Sequence, residues 1–384
     1  MEVIEKCADD IVARAKLFCN DHLQPIAREL DKQSRFPVEL LEMIAQEGFL
    51  GMNYPVSYGG GGYDSVTAHQ AVKEFAKVSA GVALTFHVHW MAIDVLLQFG
   101  SAEQKRKYLP DLIQGRKIAA YTISEAQAGS DAAGIRSLAV PAEGGWLLNG
   151  AKYFCTNGGL ADIYIVAFKT DAEAGAKGIG LFIIEKGAAG FQIGPAEEKM
   201  GCRSSQTTSL VFHNCLVPPD SLLGNGKDGF KIAMYGLTGG RLGMAVMGLG
   251  IAEAALETAA RYANRRIAFG KPLSALYAVQ EMLAEMHVKI EAAKLLVDDT
   301  ARQRDSGSDY AVATSVAKLF VAEVTSEVCH KAMQILGGHG YMKYNVVERY
   351  IRDARLMDIG VGASEVLKMV VGSTVAKTIG SDNE

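Results

Sequence analysis

Ile179-Gly180-Leu181-Phe182-Ile183-Ile184 is an apolar run bounded by polar and glycine-rich stretches, the pattern of a short buried strand rather than one face of a helix. Ile163 to Phe168 has the same character. Trp146-Leu147-Leu148 leads through Asn149-Gly150, which reads as a turn, into Lys152-Tyr153-Phe154-Cys155, and Thr208 to His213 is a further strand candidate. Residues 121–228 therefore read as a compact middle β domain.

On either side the period becomes helical. In residues 1–120, Ile4, Ile11, Val12 and Ala15 begin an amphipathic stripe, and Pro37-Val38-Glu39-Leu40-Leu41 reads as a proline-led helix start. Gly59 to Gly62 must be a loop, because four glycines in series cost too much backbone entropy in a helix. A long helix is expected from Ser65 through Leu97, ending near Gly100, and another from Ala102 to Leu112. In residues 229–384, Leu283, Met286, Ile290, Ala293 and Val297 fall at helical spacing, as do Val316, Leu319, Val324 and Val328. Loops are expected at Phe269-Gly270-Lys271-Pro272 and Gly337-Gly338-His339-Gly340, and the glycines from Gly243 to Gly250 suit close helix packing. The order α, β, α lacks the strand–helix alternation of a parallel-sheet fold. The fold class expected is α+β.

Composition narrows the function. With 39 basic and 43 acidic side chains the net charge is −4, so nothing draws the chain to nucleic acid or anionic lipid. No uninterrupted apolar run reaches the roughly 18 residues of a membrane span. The nearest, Met244 to Ala260, is broken by Glu253 and Glu257, and no span is expected. The first residues carry charges where a secretory signal has an apolar core. The six cysteines (Cys7, Cys19, Cys155, Cys202, Cys215, Cys329) are scattered without CxxC spacing. A reducing, cytoplasmic location and no metal centre are expected. No G-x-G-x-x-G, P-loop, H-E-x-x-H or G-x-S-x-G motif appears. These features alone leave an enzyme and an interaction protein both open.

Four segments in order resemble the flavin-dependent acyl-CoA dehydrogenase family. Ile123-Ser124-Glu125-Ala126-Gln127-Ala128-Gly129-Ser130-Asp131 resembles its T-E-P-x-A-G-S-D signature, with Ser124 in the threonine place and Ala126 replacing proline. Lys152 to Gly158 resembles K-x-(W/F)-I-T-N-G, Arg266 to Pro272 resembles R-x-x-F-G-x-P, and Gln334 to Tyr341 matches Q-x-x-G-G-x-G-(Y/F). The resemblance implies an N-terminal helical domain, a β-barrel-like middle domain and a C-terminal four-helix bundle. It also implies bound FAD, usually in a homotetramer, an acyl-CoA substrate, and an electron-transfer flavoprotein or similar carrier as partner. By the same resemblance Tyr121, Ile123, Ser124, Gly129 and Ser130 would address the cofactor, with Phe154 stacked near its ring and Thr156 near its reactive edge. Arg266, Phe269, Gln334 and Gly338 would reach the FAD of a neighbouring subunit. Ser130, Arg241, Gly240, Met91 and Val361 would line the thioester site.

The resemblance breaks at the base. The family usually places a glutamate where Val361 stands; its second placement, just before Arg241, is Gly240. Asp94 is the first candidate for a replacement and His87 the second, because His87, Met91 and Asp94 at i, i+4 and i+7 share one helical face. The family includes enzymes for alicyclic CoA thioesters that lack the glutamate and use a pocket-helix aspartate for a 1,4-elimination. A conjugated or alicyclic substrate of the cyclohexene-carboxyl-CoA kind is thus the first expectation. An ordinary short-chain acyl-CoA or enoyl-CoA oxidoreductase with a displaced base, and a catalytically inactive flavoprotein scaffold, are the alternatives.

Overall fold

The computed structural model describes residues 8–226 and 228–380; Ile4 and Cys7 lie outside them. The N-terminal part holds α1 (Ala8–Phe18), α2 (Ala27–Gln33), α3 (Leu41–Gln46), α4 (Ser65–Val78), α5 (Ala80–Phe99) and α6 (Ala102–Ile113). The middle holds β1 (Ala119–Thr122), β2 (Leu138–Ala142), β3 (Gly145–Thr156), β4 (Ile163–Lys169), β5 (Ile179–Glu185), β6 (Phe191–Ala196) and β7 (Thr207–Val217). Next come α7 (Gly229–Arg265), the small hairpin of β8 (Ile267–Ala268) and β9 (Lys271–Pro272), α8 (Tyr277–Asp305) and α9 (Ala311–Leu336). The last helices are α10 (Gly338–Tyr341), α11 (Val347–Ala354), α12 (Leu356–Ile359) and α13 (Ser364–Gly380). Helices α7, α8 and α13 pack around α9 as the C-terminal bundle, while α4 and α5 lie against α7.

The sheet runs β1-β4-β2-β3-β7-β6, with β5 paired to β4. Most pairings are antiparallel, but β1 runs parallel to β4. The unbroken apolar runs of β4 and β5 follow from burial on both faces. Ile163, Ile165, Ala167, Leu181 and Ile183 join the helical core, whereas Tyr164, Val166, Phe168, Phe182 and Ile184 form a second core inside the curled sheet.

Several expectations are corrected. The helix read from Ser65 through Leu97 is two helices, because Ser79 is extended (φ −153°, ψ 100°) and its hydroxyl is held 2.6 Å from that of Ser204. The start at Pro37 opens a 3₁₀ turn, Val38–Leu40, before the six-residue α3. Asn149-Gly150 is no turn: β3 continues through it with a bulge. Gly150 has φ 138°, Ser137 fills the space its side chain would take, and Asn149 Oδ1 accepts the Asn214 N–H at 2.8 Å. The real turn lies between β2 and β3, where Gly144 has φ 85°. Gly338 to Tyr341 makes a helical turn rather than a loop. Among the described residues two helices, α5 and α7, are each long and apolar enough to cross a membrane, since mean hydropathy over a window tolerates isolated polar residues. Within the fold 94% and 78% of those windows are buried, covered by α4, β1 and α9.

Candidate active site

A glycine face on α7 sets the site. Gly236, Gly239, Gly240 and Gly243 recur at helical spacing, and a side chain at any of them would collide with a residue singled out from the sequence. A Cβ would lie 2.9 Å from the Tyr121 ring at Gly236, 2.9 Å from Asp94 Oδ2 at Gly239, 2.7 Å from Met91 Sδ at Gly240 and 2.6 Å from the His87 ring at Gly243. At Gly240 it would also lie 2.8 Å from Val361 Cγ1. Glycine thus lets α5 approach α7 until His87, Met91 and Asp94 line their interface. The structure brings Met91, Gly240 and Val361 into one small apolar place.

Arg241 borders it. Its Nε is buried with no hydrogen-bond partner, and burial pulls the guanidinium below its usual range. Val361, β-branched at φ 55°, is in a backbone region such residues avoid. The adjoining Gly362 carbonyl accepts from Lys318 Nζ at 2.7 Å.

Asp94 is buried at 7% exposure. Both of its donors converge on one oxygen: the Tyr54 hydroxyl donates to Oδ1 at 2.9 Å and Arg304 to the same atom at 2.8 Å. Burial pushes the carboxyl up, and Arg304 and Tyr54 only partly pull it back. His87 stacks on His69 with centroids 6.2 Å apart, and its Nε2 is buried without a partner. Burial pulls this imidazole down to about 3, so it is neutral at ordinary pH. Its neighbour His89 is structural: Nδ1 accepts the Ala119 N–H and Nε2 donates to the Leu112 carbonyl, both at 3.0 Å.

On the sheet side, Tyr121 is buried and donates to the Ala233 carbonyl at 2.8 Å. Ile123 is buried and Ser124 half-buried, with the Ser124 carbonyl accepting the Tyr153 N–H at 3.0 Å. Lys152 and Glu125, which the sequence reading passed over as site residues, fasten this loop. Lys152 Nζ donates to Glu125 Oε1 at 2.5 Å and to the Ile123 carbonyl at 3.2 Å, while Glu125 also accepts the Arg136 and Ser137 N–H groups. Burial pulls the ammonium down to about 8 against the hold of Glu125. Although burial opposes it, Lys152 and the donated N–H groups bring the carboxyl down to about 2.

Gly129 and Ser130 are exposed, and a Cβ at Gly129 would meet nothing. Phe154 projects outward at 68% exposure from a left-handed backbone (φ 58°), with Thr156 half-buried nearby on β3. An aromatic ring held in the open beside a half-buried hydroxyl and a threonine suits a flat, partly polar heterocycle. These residues fit an isoalloxazine.

Arg266, Phe269, Gln334 and Gly338 are not brought to this place. They are exposed, Phe269 at 90%, and the ring contact of Tyr262 with His339 puts them at the far end of α7. Gly236 and Arg265 are separated by about 44 Å at 1.5 Å per residue.

Asp353 on α11, which holds the loop at the start of α5, titrates. Cys202 N–H donates to Asp353 Oδ1 at 2.6 Å, and burial raises the Asp353 carboxyl from 3.8 to about 6. The folded state therefore binds a proton that the unfolded chain releases, and stability contributed by this group falls as pH rises from about 4 to about 6. Asp353→Asn is expected to remove a slope worth on the order of 2–3 kcal/mol. Urea midpoints of both proteins at pH 4, 5, 6 and 7 check it; parallel curves would contradict it. Among the described residues no cluster has the donors for a metal ion.

Comparison with known proteins agrees across the whole chain. Residues 7–116, 120–215 and 227–376 match the acyl-CoA dehydrogenase N-terminal, middle and C-terminal domain families. A short-chain-specific acyl-CoA dehydrogenase of Clostridium acetobutylicum is 41% identical, covering 93% of this chain and 95% of its own. The structure of butyryl-CoA dehydrogenase from Megasphaera elsdenii superposes with a TM-score of 0.95 at 40% identity, covering 98% of this chain and 100% of that one. PigA, solved with FAD and proline, superposes with a TM-score of 0.92 at 26% identity over 98% and 99% of the two chains.

Proposed function

The chain belongs to the acyl-CoA dehydrogenase family, and on that premise we propose that it interconverts a compact short-chain acyl-CoA thioester and its enoyl-CoA, with Asp94 as a displaced base. It is an oxidoreductase acting on a CH–CH bond, and FAD is its cofactor. Bound FAD supplies the acceptor for the two electrons that leave with hydrogen from the substrate.

The chain's own residues do the rest. Tyr121, Ile123, Ser124 and Thr156 hold the cofactor's ring beside Phe154. Gly129 and Ser130 expose backbone and a hydroxyl where a phosphate chain passes. Arg241, half-buried with its Nε short of an acceptor, sits beside the thioester site. Met91, Gly240 and Val361, packed closely together, form an apolar wall suited to a small acyl group.

The observation that carries the base is Asp94 Oδ2. Among the described residues the two donors to this carboxyl both take Oδ1, Oδ2 faces Gly239, and burial has raised the carboxyl's proton affinity, which suits general-base work. Val361 and Gly240 offer no carboxylate. Asp94 also lies three residues, about 4.5 Å, deeper along α5 than Met91. That offset favours a second reading, in which the proton leaves a carbon remote from C2 in a conjugated or alicyclic acyl group by 1,4-elimination.

Arg266, Phe269, Gln334 and Gly338 are too distant to serve their own chain, so they serve the FAD site of a neighbouring copy in a homotetramer. An electron-transfer flavoprotein or a similar carrier takes the electrons.

Anaerobic addition of butyryl-CoA and of cyclohex-1-ene-1-carboxyl-CoA to the FAD-loaded protein tests the reading through loss of flavin absorbance. Bleaching by butyryl-CoA supports the first reading, and bleaching by the cyclic ester alone supports the second. Stable FAD that no thioester bleaches overturns both in favour of a scaffold.

A further inference from the structure

We propose that Arg304 and Tyr54 are positioning residues that clamp Asp94 by Oδ1 and so reserve Oδ2 for the substrate proton. This rests on Asp94 being the base, and it assigns roles to two residues that no motif marks.

An ion pair that only bolts helices together does best with both carboxylate oxygens satisfied, because a buried charge left short of partners is costly. Here the donors stack on one oxygen. Arg304 comes from α8 and Tyr54 from the loop before α4, yet both meet Oδ1, at 2.8 and 2.9 Å. Oδ2 is turned to α7, toward a glycine whose missing side chain keeps the space open. The point a Gly239 Cβ would occupy is 2.9 Å from Oδ2 and 3.9 Å from the Tyr310 hydroxyl. Trp90 and Leu50 stiffen the arrangement: Trp90 Nε1 donates to the Leu50 carbonyl at 2.7 Å, and the Tyr54 ring stands edge-on to Trp90.

The groups facing this carboxyl come from every neighbouring element. Besides Tyr54 and Arg304 they are Tyr235 on α7 and Tyr310 just before α9, with His69 and His87 also in the field of Arg304. Arg304 is the cation in contact with Asp94. Its charge pulls the carboxyl's proton affinity back down against the larger upward push of burial, while Tyr54 fixes which lone pairs point at the substrate.

The test is the pH dependence of flavin reduction in single turnovers of the FAD-loaded protein, measured with whichever thioester bleaches it. Arg304→Gln removes the cation, so the acid limb is expected to move up by about one to three pH units. Tyr54→Phe keeps the ring and its packing, and is expected to move the limb the same way by less. Arg304→Lys restores a cation and should bring the limb most of the way back. Thermal melts run alongside. If Arg304→Gln does not fold, Tyr54→Phe decides. Lowered melting temperatures with an unmoved limb would overturn the clamp and leave Asp94 as the base. An unchanged limb and rate in Asp94→Asn would instead remove the base, and the clamp with it.

Discussion

Asp94→Asn is expected to slow reduction of bound FAD by a CoA thioester by about 10²–10⁴-fold, the usual contribution of a positioned general base. The substitution is chosen because it changes little else. The amide keeps the shape that fits against Gly239, and its oxygen still accepts from Tyr54 and Arg304. What it loses is the ability to take a proton. Flavin content, read from the ratio of visible to ultraviolet absorbance, should stay near one FAD per chain. Wild-type rates in this variant would mean that deprotonation occurs elsewhere, with His87 the next buried group on the same face of α5.

The largest effect on stability is expected from Lys152→Met. Lys152 is fully buried and the Glu125 side chain keeps only 4% exposure. Removing one member of such a pair strands the other, which costs about 3–5 kcal/mol. The ammonium also lies over the Phe168 ring at 5.3 Å and donates to the Ile123 carbonyl, so the loss reaches the loop proposed to hold the cofactor. Urea unfolding should shift strongly to lower denaturant, and FAD should be released at concentrations where the wild type retains it. Pairing the change with Glu125→Gln should recover part of the stability, because no unpaired carboxylate is then buried. A Lys152→Met protein as stable as wild type, with FAD tightly held, would show that the pair is not what fastens the loop.

The architecture was legible where burial leaves a local signature. Ile163–Phe168 and Ile179–Ile184 declare themselves as buried strands because both faces of the sheet are covered there, so no charged residue interrupts them. The glycines from Gly243 to Gly250 declare close helix packing, and Gly248 indeed faces Val321 and Thr325 of α9 while Gly250 faces Ala76 of α4. The break at Ser79 was not legible, since its cause is a hydroxyl contact with Ser204, 125 residues away. Asn149-Gly150 carries a strong local turn signal, yet pairing with β7 makes it a bulge.

The same contrast holds in the site. The shared face of His87, Met91 and Asp94 follows from helical spacing alone. That Asp94 meets Arg304, 210 residues later, follows from nothing local, because neither residue's neighbours mark it. Lys152 and Glu125 sit inside segments that the sequence reading quoted for other residues. Their pairing becomes visible only once the loop beginning at Ile123 is seen lying against β3.

The most direct test of Asp94 as the displaced base is hydrogen exchange from bound substrate. The FAD-loaded protein is incubated anaerobically in deuterium oxide with each thioester, and the recovered ester is read by NMR. Deuterium is expected at one acyl carbon with the wild-type protein and at none with Asp94→Asn. The carbon labelled distinguishes C2 chemistry from removal of a more remote proton. Equal labelling by both proteins would contradict the account.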